Sequence, residues 1–240
     1  GDLRDQNVTS ARAARHNFGA TKTVEGNLKI LPESISLNIN LVNTQNSQLI
    51  GSRNYDVVPS DLPLLERHAL VGIVDMLDLE LTPGEYKTLI AGSTDDSEAY
   101  MAYMEGMALY ARFDVQENLD GAIEHFRRAI AMDPFHAKAH AALGEACWRK
   151  WGLSEEPQWV DYAQLHCNRA IEIDRGLADA YITMGVIHIG KGQAEKALEV
   201  LAEAVKLEPD NARAYREIGN AYDALNRTEE ALSAYGKAID

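Results

Sequence analysis

Tyr181-Ile182-Thr183-Met184-Gly185-Val186-Ile187-His188 and, one period further on, Tyr215-Arg216-Glu217-Ile218-Gly219-Asn220-Ala221-Tyr222 decide how this chain folds. In both stretches large side chains at the first, fourth and eighth places bracket a glycine at the fifth, the spacing of one helix face. Each is followed by a second helical pattern, Ala197-x3-Leu201 with Ala204 and Pro209, then Ala231-x3-Tyr235 with Ala238. A repeat of about 34 residues built from two short helices is a unit that stacks on copies of itself. The small residues let the paired helices approach, and Leu201, Tyr222 and Tyr235 fill the space between them.

Toward the N-terminus, His140-x2-Leu143-Gly144-x2-Cys147 with Ala163-x3-Cys167 and Ala170 is an earlier copy, and Gly106 with Ala122-x3-Phe126, Ala129 and Pro134 the first. Ala122 and Ala163 lie further apart than one period, so an insertion of about seven residues is expected near Lys150 to Trp159. The turn of the first copy, near Asp114 to Asn118, reads about four residues longer than standard. The copies are expected at 96–135, 136–176, 177–210 and 211–240, the last cut short.

Residues 1–92 follow another rule. Ala11 to Phe18 reads as a short helix stopped by Gly19, and Thr21 to Ile30 as extended. Ile35, Leu37, Ile39 and Leu41 alternate with Ser36, Asn38 and Asn40, a strand with one wet face, and Gln48 to Asp56 is a third strand. Short turns between them imply an antiparallel meander. A helix capped by Ser60 or Asp61 follows, with the stripe Leu65, Ala69, Leu70, Ile73, Val74 and Leu77 covering the sheet, then a short helix from Thr82-Pro83 to Ala91. The boundary is expected at Gly92-Ser93-Thr94-Asp95-Asp96. The fold class is thus mainly α, a superhelix of helical hairpins (93–240) behind a small α+β domain with a three-stranded antiparallel sheet (1–92).

The chain of 240 residues has a formal net charge of −14, of which residues 93–240 carry −11. Such a surface disfavours nucleic acid and anionic membranes as partners. No apolar run is long enough to cross a bilayer, and no signal-peptide pattern opens the chain. The start at Gly1 and the stop inside the fourth copy lead to the expectation of a piece cut from a longer protein.

The helical copies resemble tetratricopeptide repeats, which bind other polypeptides and supply no chemistry. The front resembles a TolB-like, FlgO-like domain through Phe18-Gly19-Ala20, Val24-Glu25-Gly26, Leu41-Val42-Asn43 and Tyr55-Asp56. With Asp95 to Tyr100, Gly144 to Lys150 and Pro157-Gln158-Trp159-Val160, the whole resembles the region after the catalytic domain of bacterial serine/threonine protein kinases. Similar tails occur on nucleotide cyclases and winged-helix regulators. The TolB-like family normally begins with an earlier strand and helix, so an open sheet edge is expected. The kinase phosphate loop, His-Arg-Asp loop and Asp-Phe-Gly motif do not occur, so no catalysis and no cofactor is expected of this chain. Attachment to a membrane-spanning kinase would imply an extracytoplasmic place; otherwise the cytoplasm is implied.

In that family the first helices line the concave face. The register then offers Tyr103, Met107 and Tyr110; Lys138, Ala141, Glu145, Trp148 and Arg149; Ile182, Val186 and Ile189; Arg213, Arg216 and Asn220 as a groove for a protein or peptide ligand, with Arg216 and Asn220 anchoring a carboxylate. The competing assignment has Ile182, Val186 and Ile189 packing on an adjoining element. Self-association through the open repeat end or sheet edge is the alternative function. His136 and His140 stand four apart, a spacing open to metal, but His140 and His188 hold core ring positions. Cys147 and Cys167 read either as buried thiols or as a disulfide between neighbouring helices. Trp151, Pro157 and Trp159 either form a contact surface or plug the widened helix gap. Asp95-Asp96, Glu155-Glu156 and Glu229-Glu230 read as helix-start carboxylates.

Overall fold

The computed structural model describes residues 11–82 and 92–239. The chain divides into two compact units, Gly1–Glu85 and Tyr86–Asp240. The short helix expected from Thr82-Pro83 to Ala91 lies outside the described residues.

The first unit begins with α1 (Ala11–Phe18), which buries Ala11 and Ala14. Gly19 stops it at φ +67°, with its N–H returned to the Arg15 carbonyl at 2.9 Å. Three strands follow, β1 (Lys22–Ile30), β2 (Ile35–Asn43) and β3 (Leu49–Val57), antiparallel in the order β1-β2-β3. Alternation fixes the register: Val24 pairs with Leu41, Leu28 with Leu37 and Ile30 with Ile35, so one face is apolar. The other face carries a polar ladder in which Asn38 donates to Asn54 (2.6 Å), Asn40 to Asn38 (2.7 Å) and Ser52 to Asn40 (2.8 Å). Helix α2 (Leu62–Met76) lies on the apolar face against β2 and β3. It buries Leu65, Ala69 and Gly72, while Ile35, Ile39 and Leu41 are buried from β2. A Cβ on Gly72 would stand 1.8 Å from the Tyr55 hydroxyl, so the absent side chain leaves room for the Tyr55 ring against the helix. Asp61 is the N-cap residue of α2 but its side chain makes no capping bond.

The second unit is four helical hairpins in sequence. They are α3 (Ser97–Tyr110) with α4 (Gln116–Met132), α5 (Ala137–Ser154) with α6 (Gln158–Ile173), α7 (Ala178–Gly190) with α8 (Ala194–Leu207), and α9 (Ala212–Ala224) with α10 (Thr228–Ile239). Each first helix also packs on the second helix of the preceding hairpin, and the first helices touch one another along one side. Asp96 caps α3, accepting the N–H groups of Glu98 and Ala99 at 2.9 Å. The four repeat glycines stand where a side chain would collide: an added Cβ would meet Phe126 at 2.6 Å from Gly106, Cys167 at 2.5 Å from Gly144, Leu201 at 2.6 Å from Gly185 and Tyr235 at 2.2 Å from Gly219. Opposite them Ala122, Ala163, Ala197 and Ala231 are buried. The mainly helical class with a small antiparallel sheet is as the sequence indicates.

Two details differ from expectation. The extra residues of the second repeat do not form a loop: α5 continues through Ser154, and only residues 155–157 separate it from α6. Lys150 and Trp151 extend the helical period, and the break comes at Glu155, left-handed at φ 56°, and Pro157. Gly92 belongs with the repeats, its N–H donating to Asp174 (2.8 Å) and its carbonyl accepting from the Lys138 N–H (3.1 Å).

Both cysteines are free and fully buried, which rules out the staple between α5 and α6. Burial pushes the Cys147 thiol up to about 12 and raises Cys167 as well. Neither thiol is therefore expected to react with a disulfide reagent such as DTNB at pH 8 in the native chain, and both are expected to react after unfolding.

His140 and His166 face each other between α5 and α6 with Nδ1 atoms 2.9 Å apart, and His140 Nε2–H donates to the Pro134 carbonyl at 3.2 Å. Burial lowers both pKa values; His166, also beside His140 and Arg127, is pushed down to about 4. A histidine depressed when folded takes up its proton in the unfolded chain first. The pair's contribution to stability is therefore present above about pH 6.5 and lost as pH falls toward 4. Urea unfolding at pH 7 and pH 4.5 should show less stability at the lower pH from this pair, by about 1 kcal/mol once solvent screening of the half-buried His166 ring is allowed for, and the loss should shrink in His166→Gln.

Candidate functional site

The side where the first helices meet holds a recess of about 230 Å³. Helix α3 contributes Tyr103, Met107 and Tyr110, α5 contributes Lys138, Ala141, Ala142 and Glu145, α7 contributes Asp179 and Thr183 with Leu177 just before it, and α9 contributes Arg213. Helical spacing accounts for the convergence: Tyr103, Met107 and Tyr110 are one stripe of α3, and Lys138, Ala141, Ala142 and Glu145 one stripe of α5.

The rim is charged and internally paired. Arg213 donates to Glu145 at 2.6 Å across 68 residues of sequence, with Arg149 3.8 Å from the same oxygen and Asp179 3.6 Å from Arg213. Repeats two, three and four are thus tied at one point, and the Glu145 carboxylate is only 18% exposed. At the floor the Tyr110 hydroxyl is buried beside the Glu145 carboxylate and the Arg149 guanidinium. Burial first, then the Glu145 charge, holds that phenol above its ordinary pKa. The arrangement offers an apolar and aromatic floor, one buried hydroxyl, and a rim carrying both signs of charge.

Of the residues singled out in the sequence, Tyr103, Met107, Tyr110, Lys138, Glu145 and Arg213 come together here. Trp148 and Arg149 instead line a neighbouring recess of about 280 Å³ with Phe113, Trp151 and Leu153. There the Arg149 guanidinium lies 4.7 Å from the Phe113 ring centre, and the Trp148 and Trp151 rings are 4.5 Å apart. The two recesses are joined through Tyr110 and Phe113, stacked at 5.4 Å. Trp148 also packs on the core beside Cys147, where a Cβ on Gly190 would meet its ring at 2.3 Å. Trp159 packs on the same core, so of the tryptophans it and Trp148 serve as filling.

Ile182 is not a groove residue: it is fully buried with Ala197 and Leu201, and half-buried Ile189 packs on the same cluster. Val186 is half-buried. At this level the groove takes Asp179 on its rim, with the buried Thr183 beneath it. The signal for Asp179 is in the sequence, since Lys138, Asp179 and Arg213 occupy one position in three successive copies of the repeat. Arg216, whose side chain is 57% exposed, and Asn220 already hold a carboxylate of the chain itself. Arg216 bonds Glu217 through Nε (3.1 Å) and Nη2 (2.8 Å), and Asn220 donates to the other Glu217 oxygen at 2.8 Å. The chain's own buried carboxylate fills that anchor. His136 is buried against the Tyr103 ring at 5.0 Å. Among the described residues no three His, Cys, Asp or Glu side chains converge as a metal site, and no helix is long and apolar enough to cross a membrane.

Comparison with known proteins agrees with this architecture. The chain is 30% identical over 138 residues to the mitochondrial import receptor subunit TOM70 of Homo sapiens, a match covering 55% of this chain and 21% of that protein. The chain thus spans about a fifth of the curated relatives it matches. A thermophilic tetratricopeptide repeat protein of Thermus thermophilus, TTC0263, superposes with a TM-score of 0.51 at 20% identity, covering 75% of this chain and 90% of that one. The first repeat domain of Spaghetti (RPAP3), solved with an HSP90 peptide, gives a TM-score of 0.46 at 22% identity over 54% of this chain and 94% of that one. The model of the tetratricopeptide repeat matches residues 103–164 and 182–240, just over half of the chain. With four glycine-centred hairpins packed as described, the chain belongs to the tetratricopeptide repeat family.

Proposed function

We propose that the chain is a non-catalytic scaffold that captures a polypeptide segment in the recess shared by α3, α5, α7 and α9. The observation that carries this reading is the convergence of Tyr103, Met107, Tyr110, Lys138, Glu145 and Arg213 from three repeats on one open hollow. A floor of rings and a thioether takes an apolar anchor residue, and the paired rim orients flanking charges of either sign. The pairing of Glu145 with Arg213 fixes those groups before a ligand arrives, which lowers the ordering cost of binding. Selection of random peptides displayed against the 240-residue chain tests this. Met107→Glu, a change at a partly exposed position of the floor, should weaken selected peptides about tenfold or more without unfolding the chain. Peptides bound equally by the variant would remove the groove from the account.

The setting is a finer step. The front-domain residues quoted above, the Gly144-to-Lys150 run and the Trp159 region support placement as the C-terminal sensory or docking part of a bacterial serine/threonine kinase. A kinase reading frame directly upstream of Gly1 in the native gene would support that setting; a start codon there would remove it.

A further inference from the structure

We propose that β1 is a self-pairing edge, joining two copies of the chain through antiparallel β1–β1 contact centred on Asn27. This sharpens the self-association alternative to one strand and one register, and it is independent of the groove.

The order β1-β2-β3 places β1 at the margin of the sheet, and among the described residues no strand lies on its outer side. Its backbone phase is fixed at both ends of the hairpin. Leu31 N–H donates to the Ser34 carbonyl at 2.8 Å, and Thr44 N–H to the Thr21 carbonyl at 3.1 Å. With the register Ile30↔Ile35 to Lys22↔Asn43, the odd-numbered residues of β1 exchange bonds with β2, and Val24, Gly26, Leu28 and Ile30 turn N–H and C=O outward. Those same residues share the apolar face, where Val24, Leu28 and Ile30 are 45%, 52% and 72% exposed. An unpaired edge with exposed apolar side chains is a template for another strand.

The sequence says which strand fits. With Asn27 on a two-fold axis, Val24 lies opposite Ile30 of the second copy, Gly26 opposite Leu28, and Glu25 opposite Lys29. Outward-turned residues then face outward-turned residues, as an antiparallel ladder requires. Leu28 of the second copy meets the open notch at Gly26, where an added Cβ would approach only the Asn38 carbonyl, at 4.0 Å. Glu25 and Lys29 form two symmetric ion pairs on the polar face, and no ion pair among the described residues engages either one. Centring the pairing on Gly26 or on Leu28 keeps the backbone phase but leaves Glu25 and Lys29 without opposite charges. Charge complementarity therefore selects both the partner, a second copy, and the Asn27 register.

The test uses the whole chain. Sedimentation equilibrium should show a concentration-dependent dimer, weakened about tenfold or more by Glu25→Lys, which sets like charges opposite at both symmetric pairs, and restored by Glu25→Lys with Lys29→Glu. Asn27→Cys should form a disulfide-linked dimer on mild oxidation. Glu25→Cys should link only when mixed with Lys29→Cys, because each alone lies several residues from its copy across the axis. The native cysteines, fully buried, do not compete. A monomer at every concentration would overturn both the edge and self-association. A dimer indifferent to Glu25→Lys and without the Asn27→Cys link would overturn the edge while leaving self-association through another surface.

Discussion

Phe126→Ala is expected to lower the free energy of unfolding by about 3–5 kcal/mol, measured by urea denaturation at neutral pH. The ring is fully buried between the helices of the first repeat, 6.0 Å from the Tyr103 ring and 6.3 Å from that of Tyr110, and it rests where Gly106 has no side chain. Gly106 on the facing helix has no side chain to fill the gap, so the loss is offset only as far as the Tyr103 and Tyr110 rings can lean inward. The cavity would also loosen the wall that carries Tyr103 and Tyr110, so peptide capture should fall with stability. In a stack where each repeat touches only its neighbours, the loss should also broaden the transition by uncoupling the first repeat from the second. Phe113→Ala, at a position 37% exposed, is the control and should cost far less. A loss below about 1 kcal/mol for Phe126→Ala would mean that the hairpin packing is not as described.

Trp148→Ala is expected to cost about 2–3 kcal/mol, below the range for a fully buried ring because part of its surface is open. The sequence register offers this tryptophan as a ligand contact. Its place over Gly190 and against the core beside Cys147 assigns it to stability. A double-mutant cycle isolates that role. Gly190→Ala should destabilise the wild-type chain, since the new Cβ meets the ring at 2.3 Å, and should be tolerated in the Trp148→Ala background. Additive effects would show that ring and glycine do not touch.

What the sequence made legible follows from which constraints are local. Glycines and alanines at fixed spacing reported the hairpins, because two helix backbones can approach only over small residues. The alternation from Ile35 to Leu41 reported the strand face, because a slip of one residue would turn Ile39 outward. Where partners are distant, local spacing is silent. Glu217 is next to Arg216 in sequence, yet its turn inward to take both Arg216 and Asn220 depends on burial that one helix cannot display. His166 meets His140 from a facing helix 26 residues away. Ile182 and Thr183 are neighbours, and only the packing of Leu201 and Ala197 decides that the isoleucine turns into the core and the threonine toward the groove. The extension of α5 through Ser154 is not legible, because a change of repeat length reads as an insertion between helices, although Lys150 and Trp151 keep the helical period of Cys147.

The claim that the first helices hold a peptide is tested most directly by amide hydrogen exchange of the 240-residue chain, with and without a selected peptide at saturation. The expected result is slowed exchange concentrated in α3, α5, α7 and α9 and their adjoining turns, with α6, α8 and α10 little changed. Slowed exchange confined to α6, α8 and α10, or to the sheet of the first unit, would contradict it.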